Sequence, residues 1–178
     1  LIYTYVFEQP TRRIPISKNT RIKLTLPLGE ARYPKLNKPD TKFNPEGEYK
    51  TDLLYSPDDP KVKAVIQKLE DLAADFAENH EKDGETIPVY RELEDGRIML
   101  RVKQKAFEYK GEKHLPQPLF FDAKGKRIET GVPNIYGGSK LVVGVEAVPF
   151  ATQETVRENG KRITVTSFGV TMRPKAVQ

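Results

Sequence analysis

Along residues 59–80 the apolar positions recur with the period of a helix. Val62, Val65, Ile66, Leu69, Leu72, Ala73, Phe76 and Ala77 fall at i, i+3, i+4 and i+7. Lys61, Lys63, Lys68, Glu70, Asp71, Asp75 and Glu78 take the opposite face. Asp59 suits an N-cap, and Pro60 suits the first helical position. The pattern predicts an end near His80 to Lys82, before Gly84. An apolar stripe of about two heptads is short for a dimer seam, so the helix is expected to cover a sheet of its own domain.

Elsewhere the period falls to two. Arg21–Leu28, Tyr49–Tyr55, Arg97–Tyr109, Leu119–Asp122, Lys140–Val148 and Ile163–Met172 read as strands. Glu94-Asp95-Gly96, Lys124-Gly125-Lys126 and Glu158-Asn159-Gly160 mark turns, the last a hairpin signal. Pro34 to Pro45, rich in Pro and Lys, reads as an extended surface loop. Five or six strands with one helix predict a mainly β fold, a small barrel rather than a parallel sheet. Residues 1–178 are read as one domain, since the length of 178 residues fits the usual prior of about 100–200 per domain.

Composition narrows the chemistry. Cysteine is absent, which excludes disulfides, thiolate catalysis and Cys-ligated zinc. Two histidines, His80 and His114, do not build a metal site, and no cofactor is expected. The longest apolar run, Leu141 to Ala151, is interrupted by Glu146 and is too short to span a bilayer; no signal-peptide layout is present. The first residue is Leu1, so the chain reads as a trimmed or partly ordered piece.

Charge is informative by segment. The total is +5. Pro10 to Lys50 carries ten Lys/Arg against four Asp/Glu, and Arg97 to Arg127 nine against three, each a net +6. Pro57 to Asp83 carries four against eight, a net −4. A basic body with an acidic helix is the footprint of a polyanion binder, although it also suits a solubilising surface.

The sharpest signal lies in Arg97–Tyr109. Ile98, Leu100, Val102 and Ala106 share one face; Arg101, Lys103, Lys105, Phe107 and Tyr109 share the other. Three outward cations followed by two outward rings suit a phosphate backbone laid over the strand with bases stacked on the rings. The competing reading is an exposed face beside a loop, with Phe107 tucked under the helix or the 112–118 segment.

Other motifs are weaker. Gly137-Gly138-Ser139-Lys140 lacks the spacing of a phosphate loop and precedes a strand, not a helix. Pro39-Asp40 with Glu48-Tyr49-Lys50 has the residue types of a metal-dependent nuclease, in which Asp and Glu hold a divalent metal beside a Lys. Asp40 is expected in a loop, and Pro45 and Gly47 interrupt the spacer. The helix acids form a solvated face. A metal-dependent nuclease and a protein-interaction domain with a basic face remain the alternatives to a nucleic-acid binder.

Several stretches then match a known pattern in order. They are Leu28-Gly29, Tyr33-x-x-Leu36-x-Lys38-Pro39-Asp40 and Phe43-Asn44-Pro45-x-Gly47-x-Tyr49-Lys50-x-Asp52-Leu53. Beyond the helix come Leu100-Arg101-Val102-Lys103, Asp122-x-Lys124-Gly125-Lys126, Val132-Pro133-x-Ile135-x-Gly137-Gly138-Ser139-Lys140-Leu141 and Val148-Pro149-Phe150. Over roughly residues 28 to 150 the chain resembles the single-stranded DNA-binding proteins of T-seven-type phages. The resemblance implies an OB-fold, a five-stranded barrel with a capping helix and extra short strands. It also implies a non-enzymatic role in phage DNA replication, recombination and repair, in the cytoplasm of the infected bacterial host.

The resemblance places Arg101 and Lys103 on basic DNA-binding positions, and Phe150 where the type member has a stacking tyrosine. Lys140 follows the shared Gly-Gly-Ser turn, and Tyr33 and Lys50 match as residues. With Lys105, Phe107, Tyr109 and Tyr136 these form the expected interface. Its partner is single-stranded DNA, with RNA or duplex DNA bound more weakly, and no membrane. Tyr49 shares a face with Leu53 and is read as core. Glu46 stands where the type member has an arginine, and Val142 and Gly144 where it has lysines, so binding is expected to lean on residues 101–109. Residues 1–20, with Tyr3, Tyr5 and Phe7, match nothing in the family and suggest an added strand or edge extension. The family's acidic C-terminal tail, which recruits replication proteins, has no counterpart in the stretch ending at Gln178. The +5 is therefore expected to belong to the core alone.

Overall fold

The computed structural model describes residues 20–178, so the aromatic run Tyr3, Tyr5 and Phe7 lies outside the described residues. In chain order the elements are β1 (Ile22–Thr25), β2 (Gly29–Asp40), β3 (Glu48–Tyr55), α1 (Pro60–Glu78), β4 (Glu85–Thr86), β5 (Arg91–Glu92) and β6 (Ile98–Lys105). They continue with β7 (Phe107–Tyr109), β8 (Glu112–His114), β9 (Leu119–Phe121), β10 (Arg127–Ile128), β11 (Lys140–Leu141), β12 (Val143–Glu158) and β13 (Lys161–Val177).

The main sheet runs β1-β12-β13-β6-β3-β2-β11. Only Val142 separates β11 from β12. Lys140 and Leu141 pair with Glu30 and Gly29 of β2, whereas Val143 onward pairs with β13. One stretch of chain therefore supplies β11 at one end of the path and β12, beside β1, at the other, and the sheet curls into an OB-type barrel of β2, β3, β6, β13 and β11–β12. Most neighbours are antiparallel ladders. The β6–β13 seam is thin by contrast: the two strands run parallel and share the register pair Val102–Met172.

Inside the curl lie Leu26, Leu36, Leu53, Leu100, Val102, Val143 and Ala147, with Tyr49 buried among the core residues as its face predicts. The helix covers one side through Val62, Val65, Leu69, Leu72 and Ala73, packed against β12 and β13. The Lys61 N–H donates to Asp59 Oδ1 at 2.8 Å, so the predicted cap is present. The helix stops at Glu78, short of His80, because Asn79 Nδ2 donates to the Asp75 carbonyl at 2.7 Å and closes the last turn.

Three sequence expectations change. Pro34–Pro45 is not a loop: β2 continues through Pro34 and Pro39, and only residues 41–47 turn back. Both prolines fall where the β2–β3 register slips, between Arg32 and Lys35 and between Lys35 and Asp40, so no ladder bond is lost there. Arg97–Tyr109 is two strands, because Ala106 leaves the ladder and its N–H goes to the Gly47 carbonyl at 3.4 Å. The final hairpin is longer than its pattern, since β12 and β13 run on past Phe150 as an arm exposed on both faces, with Val156, Ile163 and Val165 among its exposed residues. Its turn is the predicted one, with Asn159 at φ 50 and Gly160 at φ 78.

Candidate nucleic-acid interface

Cross-strand register arranges the outer face of β2, β3 and β6 in rows. Arg32 lies opposite Asp52, which lies opposite Arg101; Lys35, Lys50 and Lys103 form the next row; Asp40, Glu48 and Lys105 the third. Arg101, Lys103 and Lys105 therefore point outward from β6 as alternation predicts. The same rows bring carboxylates that alternation along a single strand does not reveal. Asp52 accepts from Arg101 Nε at 2.7 Å and Nη2 at 3.2 Å, and from Arg32 Nη2 at 3.4 Å. This pairing raises the Arg101 pKa. Lys50 Nζ sits between Asp40 at 2.8 Å and Glu48 at 3.1 Å. The hydrogen bond to Asp40 raises the Lys50 pKa, and Lys50 holds the Asp40 carboxyl below the ordinary range. Asp40 thus ends a strand and meets Glu48 and Lys50, not a loop.

Beyond β6 the thin seam opens into a groove. One part, of about 370 Å³, is lined by Lys103, Lys105, Phe107, Phe150 and Arg173 among others. A second, of about 290 Å³, adds Tyr90, Arg91, Arg101 and Met172 and shares Lys103 and Phe150. Five cations line the two parts and no carboxylate does. Among the described residues, Arg91, Lys103, Lys105 and Arg173 have no ion-pair partner. Phe150 stands on β12 opposite Gly169 of β13. A Cβ on Gly169 would lie 2.6 Å from Phe150 Cζ, so the far end of the ring covers the glycine backbone. Phe150 is 37% and Phe107 45% exposed, so both rings offer a face to the groove.

The other expected residues are distributed. Tyr109 is on the β7–β8 hairpin beside Lys110 and His114, outside the groove lining. On that hairpin Phe107 stacks on His114 of the 112–118 segment with centroids 5.6 Å apart, as the competing reading allows, and not under the helix. Lys140 donates to Glu30 at 3.0 Å at the β2–β11 end. Tyr33 and Tyr136 come together in a separate cleft. Glu46 is held by Lys113 at 2.9 Å.

Sequence reasoning missed four residues. Arg173 lies just past the predicted end of its strand. Tyr90 and Arg91 sit in a segment without periodicity, so nothing in the sequence marks them. Phe43 tips the 41–47 loop, 78% exposed, with Lys42 and Lys50 at 5.3 and 5.8 Å from its ring centroid. A lone aromatic in the polar run Thr41-Lys42-Phe43-Asn44 was the available signal. OB barrels bind oligonucleotides on the strand 2–3 face and the loops joining strands 1–2 and 4–5. Here these correspond to β3–β6, the 41–47 loop and the β12–β13 hairpin.

Comparison with known proteins follows this geometry. The family model described as single-stranded DNA-binding protein, bacteriophage T7, matches residues 28–163. Among solved structures, the crystal structure of gp2.5, a single-stranded DNA-binding protein encoded by bacteriophage T7, superposes with a TM-score of 0.64 at 26% identity, covering 87% of this chain and 89% of that one. The single-stranded DNA-binding protein of bacteriophage Enc34, in complex with single-stranded DNA, gives a TM-score of 0.48 at 15% identity over 88% of this chain and 84% of that one. No curated protein matches the chain.

Proposed function

Matched over residues 28–163, the chain belongs to the bacteriophage T7 single-stranded DNA-binding protein family, and we propose that the strand lies in the groove over the β6–β13 seam. The protein is a phage-type single-stranded DNA-binding protein of DNA replication. Arg91, Lys103, Lys105 and Arg173 meet phosphates there, with Arg101 beside them, and Phe150 and Phe107 stack on bases. Every base has a π-face and every nucleotide a phosphate, so binding tolerates sequence. The observation that carries this reading is one groove holding four cations without ion-pair partners and two open rings, with no carboxylate in its lining.

The role is binding without catalysis, extending to recombination and repair in the host cytoplasm. No helix among the described residues is long and apolar enough to cross a membrane. The nuclease alternative draws on the convergence of Asp40, Glu48 and Lys50, but there the Lys50 ammonium stands between the two carboxylates. Titrating fluorescent oligo-dT tests the reading. Tight binding at low salt, competed better by single-stranded DNA than by heparin per charge, is expected. Absence of binding, or equal competition by heparin, overturns it. Incubating labelled DNA with magnesium or manganese should leave the strand intact; cleavage would establish the nuclease instead. RNA and duplex competitors should bind more weakly.

A further inference from the structure

The groove does not account for the two most exposed tyrosines among the described residues. Tyr33 is 73% and Tyr136 68% exposed, and both line a cleft of about 470 Å³ with Pro34, Lys35, Asn37, Lys38 and Asn134. That volume is within the range of small-molecule sites, about 300–1,000 Å³. Its lining contains two lysines and no carboxylate.

Both rings are held out by built features. Tyr33 sits at the β2 register slip with φ 52, in the left-handed region that bulky residues seldom occupy. The Arg32 guanidinium lies 5.4 Å from its ring centroid. Tyr136 stands on a turn docked on β2: the Gly138 N–H donates to the Ala31 carbonyl and the Ala31 N–H to the Ser139 carbonyl, both at 2.8 Å. Ser139 closes that turn through its N–H to the Tyr136 carbonyl at 3.1 Å. Asn134 Nδ2 donates to the Tyr136 hydroxyl at 3.1 Å.

A cross-strand row runs from the cleft to the groove. Lys35 lines the cleft, Lys103 lines the groove, and Lys50 stands between them in one cross-strand row. Two strand spacings of about 4.8 Å put the row's ends about 10 Å apart, a gap that a few phosphates bridge.

We propose that the Tyr33–Tyr136 cleft is a second base-stacking site for the same single strand that fills the β6–β13 groove, reached from Lys103 to Lys35 across β3, where Lys50 stays with its two carboxylates. The proposal rests on the groove reading. It predicts that short strands fill the groove alone and longer ones gain the cleft.

The experiment titrates the full chain with labelled oligo-dT of about 4 and about 16 nucleotides, the ends of the range covered by one OB-fold. Tyr136→Ala should weaken binding of the long strand by about five- to 150-fold, as expected for one lost base stack, and leave the short strand unchanged. Tyr136→Phe, which keeps the π-face, should bind both as the native chain does. Phe150→Ala should weaken both lengths. If Tyr136→Ala leaves the long strand unchanged, or weakens both lengths equally, the second site is overturned while the groove stands. If Tyr136→Phe loses as much as Tyr136→Ala, stacking at the cleft is overturned. If the native chain binds neither length, the groove reading fails and the cleft with it.

Discussion

Gly169 shows how one missing carbon shapes the interface. It is buried in β13, its φ lies outside the left-handed range, and Phe150 covers it from β12. The backbone would therefore accept alanine, and strand propensity would slightly favour it. What fails is space, since the added Cβ would meet Phe150 Cζ at 2.6 Å and Cε1 at 2.9 Å. Gly169→Ala should lift the ring and weaken oligo-dT binding by up to the ~1–3 kcal/mol of one stack, with little change in thermal stability. In a Phe150→Ala background the same substitution should have no further effect on affinity. A loss that persists there would mean that Gly169 acts on something other than the ring. Asp40 makes a second point at this scale. Its carboxyl lies below the ordinary value, first through the Lys50 hydrogen bond and then through the Lys42 N–H. A depressed folded value stabilises the fold fully above the unfolded carboxylate value, and the contribution disappears as pH falls through the lower folded one. Acid titration of Asp40→Asn, followed by circular dichroism, should show less loss of stability below about pH 4 than the native chain shows.

At the scale of elements, what the sequence reveals depends on how local the pattern is. The helix was legible because its stripe, its Asp59 cap and its Pro60 start all lie within one segment. The outward face of β6 was legible for the same reason: Arg101, Lys103 and Lys105 alternate with Val102 and Gln104. The end of β6 was not, because Ala106 leaves the ladder to bond Gly47, a residue of another turn. Nor were the carboxylates, since Asp52 meets Arg101 only once β3 and β6 pair, 49 residues apart in sequence. The three outward cations looked like mutual repulsion on one strand; the neighbouring strand supplies Asp52 and Glu48. These acids compete with phosphates for the same guanidinium and ammonium groups. Asp52→Asn should therefore raise affinity for oligo-dT several-fold. It should also steepen the salt dependence by about 0.7 in log–log slope as Arg101 gains a phosphate. The melting temperature should fall, because Arg32 and Arg101 lose their shared counter-charge. Unchanged affinity and slope would show that Arg101 never reaches the strand.

Among the described residues, an acidic cavity and the basic groove lie on either side of one segment. The acids Glu70 and Asp71 of α1 face a cavity they share with residues 86–92. Tyr90 and Arg91 of that segment also line the basic groove. The segment thus separates an acidic flank from a basic one, and a polyanion arriving from solution is drawn to a single side. The net +5 conceals this, and so does any count of Lys and Arg along the chain. Counterion release distinguishes cations by their partners. A lysine already neutralised by a carboxylate displaces few of the counterions condensed on the strand, whereas one without a partner neutralises a phosphate and releases them. Arg91, Lys103, Lys105 and Arg173 are the groove cations without ion-pair partners, so log K for oligo-dT should fall with log salt at a slope near ~ −3, at about −0.7 per phosphate. Lys103→Ala with Arg173→Ala should bring it to about −1.4 with little effect on the fold. Arg101→Ala should behave in the opposite way. It leaves Asp52 without its closest partner and lowers the melting temperature, yet it keeps the slope near ~ −3. Titrations of the three proteins at several salt concentrations, read beside their melting curves, separate the cations that hold DNA from the cation that holds the sheet. A slope that flattens equally in the single and the double variant would mean that charge is shared along the groove and not assigned by its ion pairs.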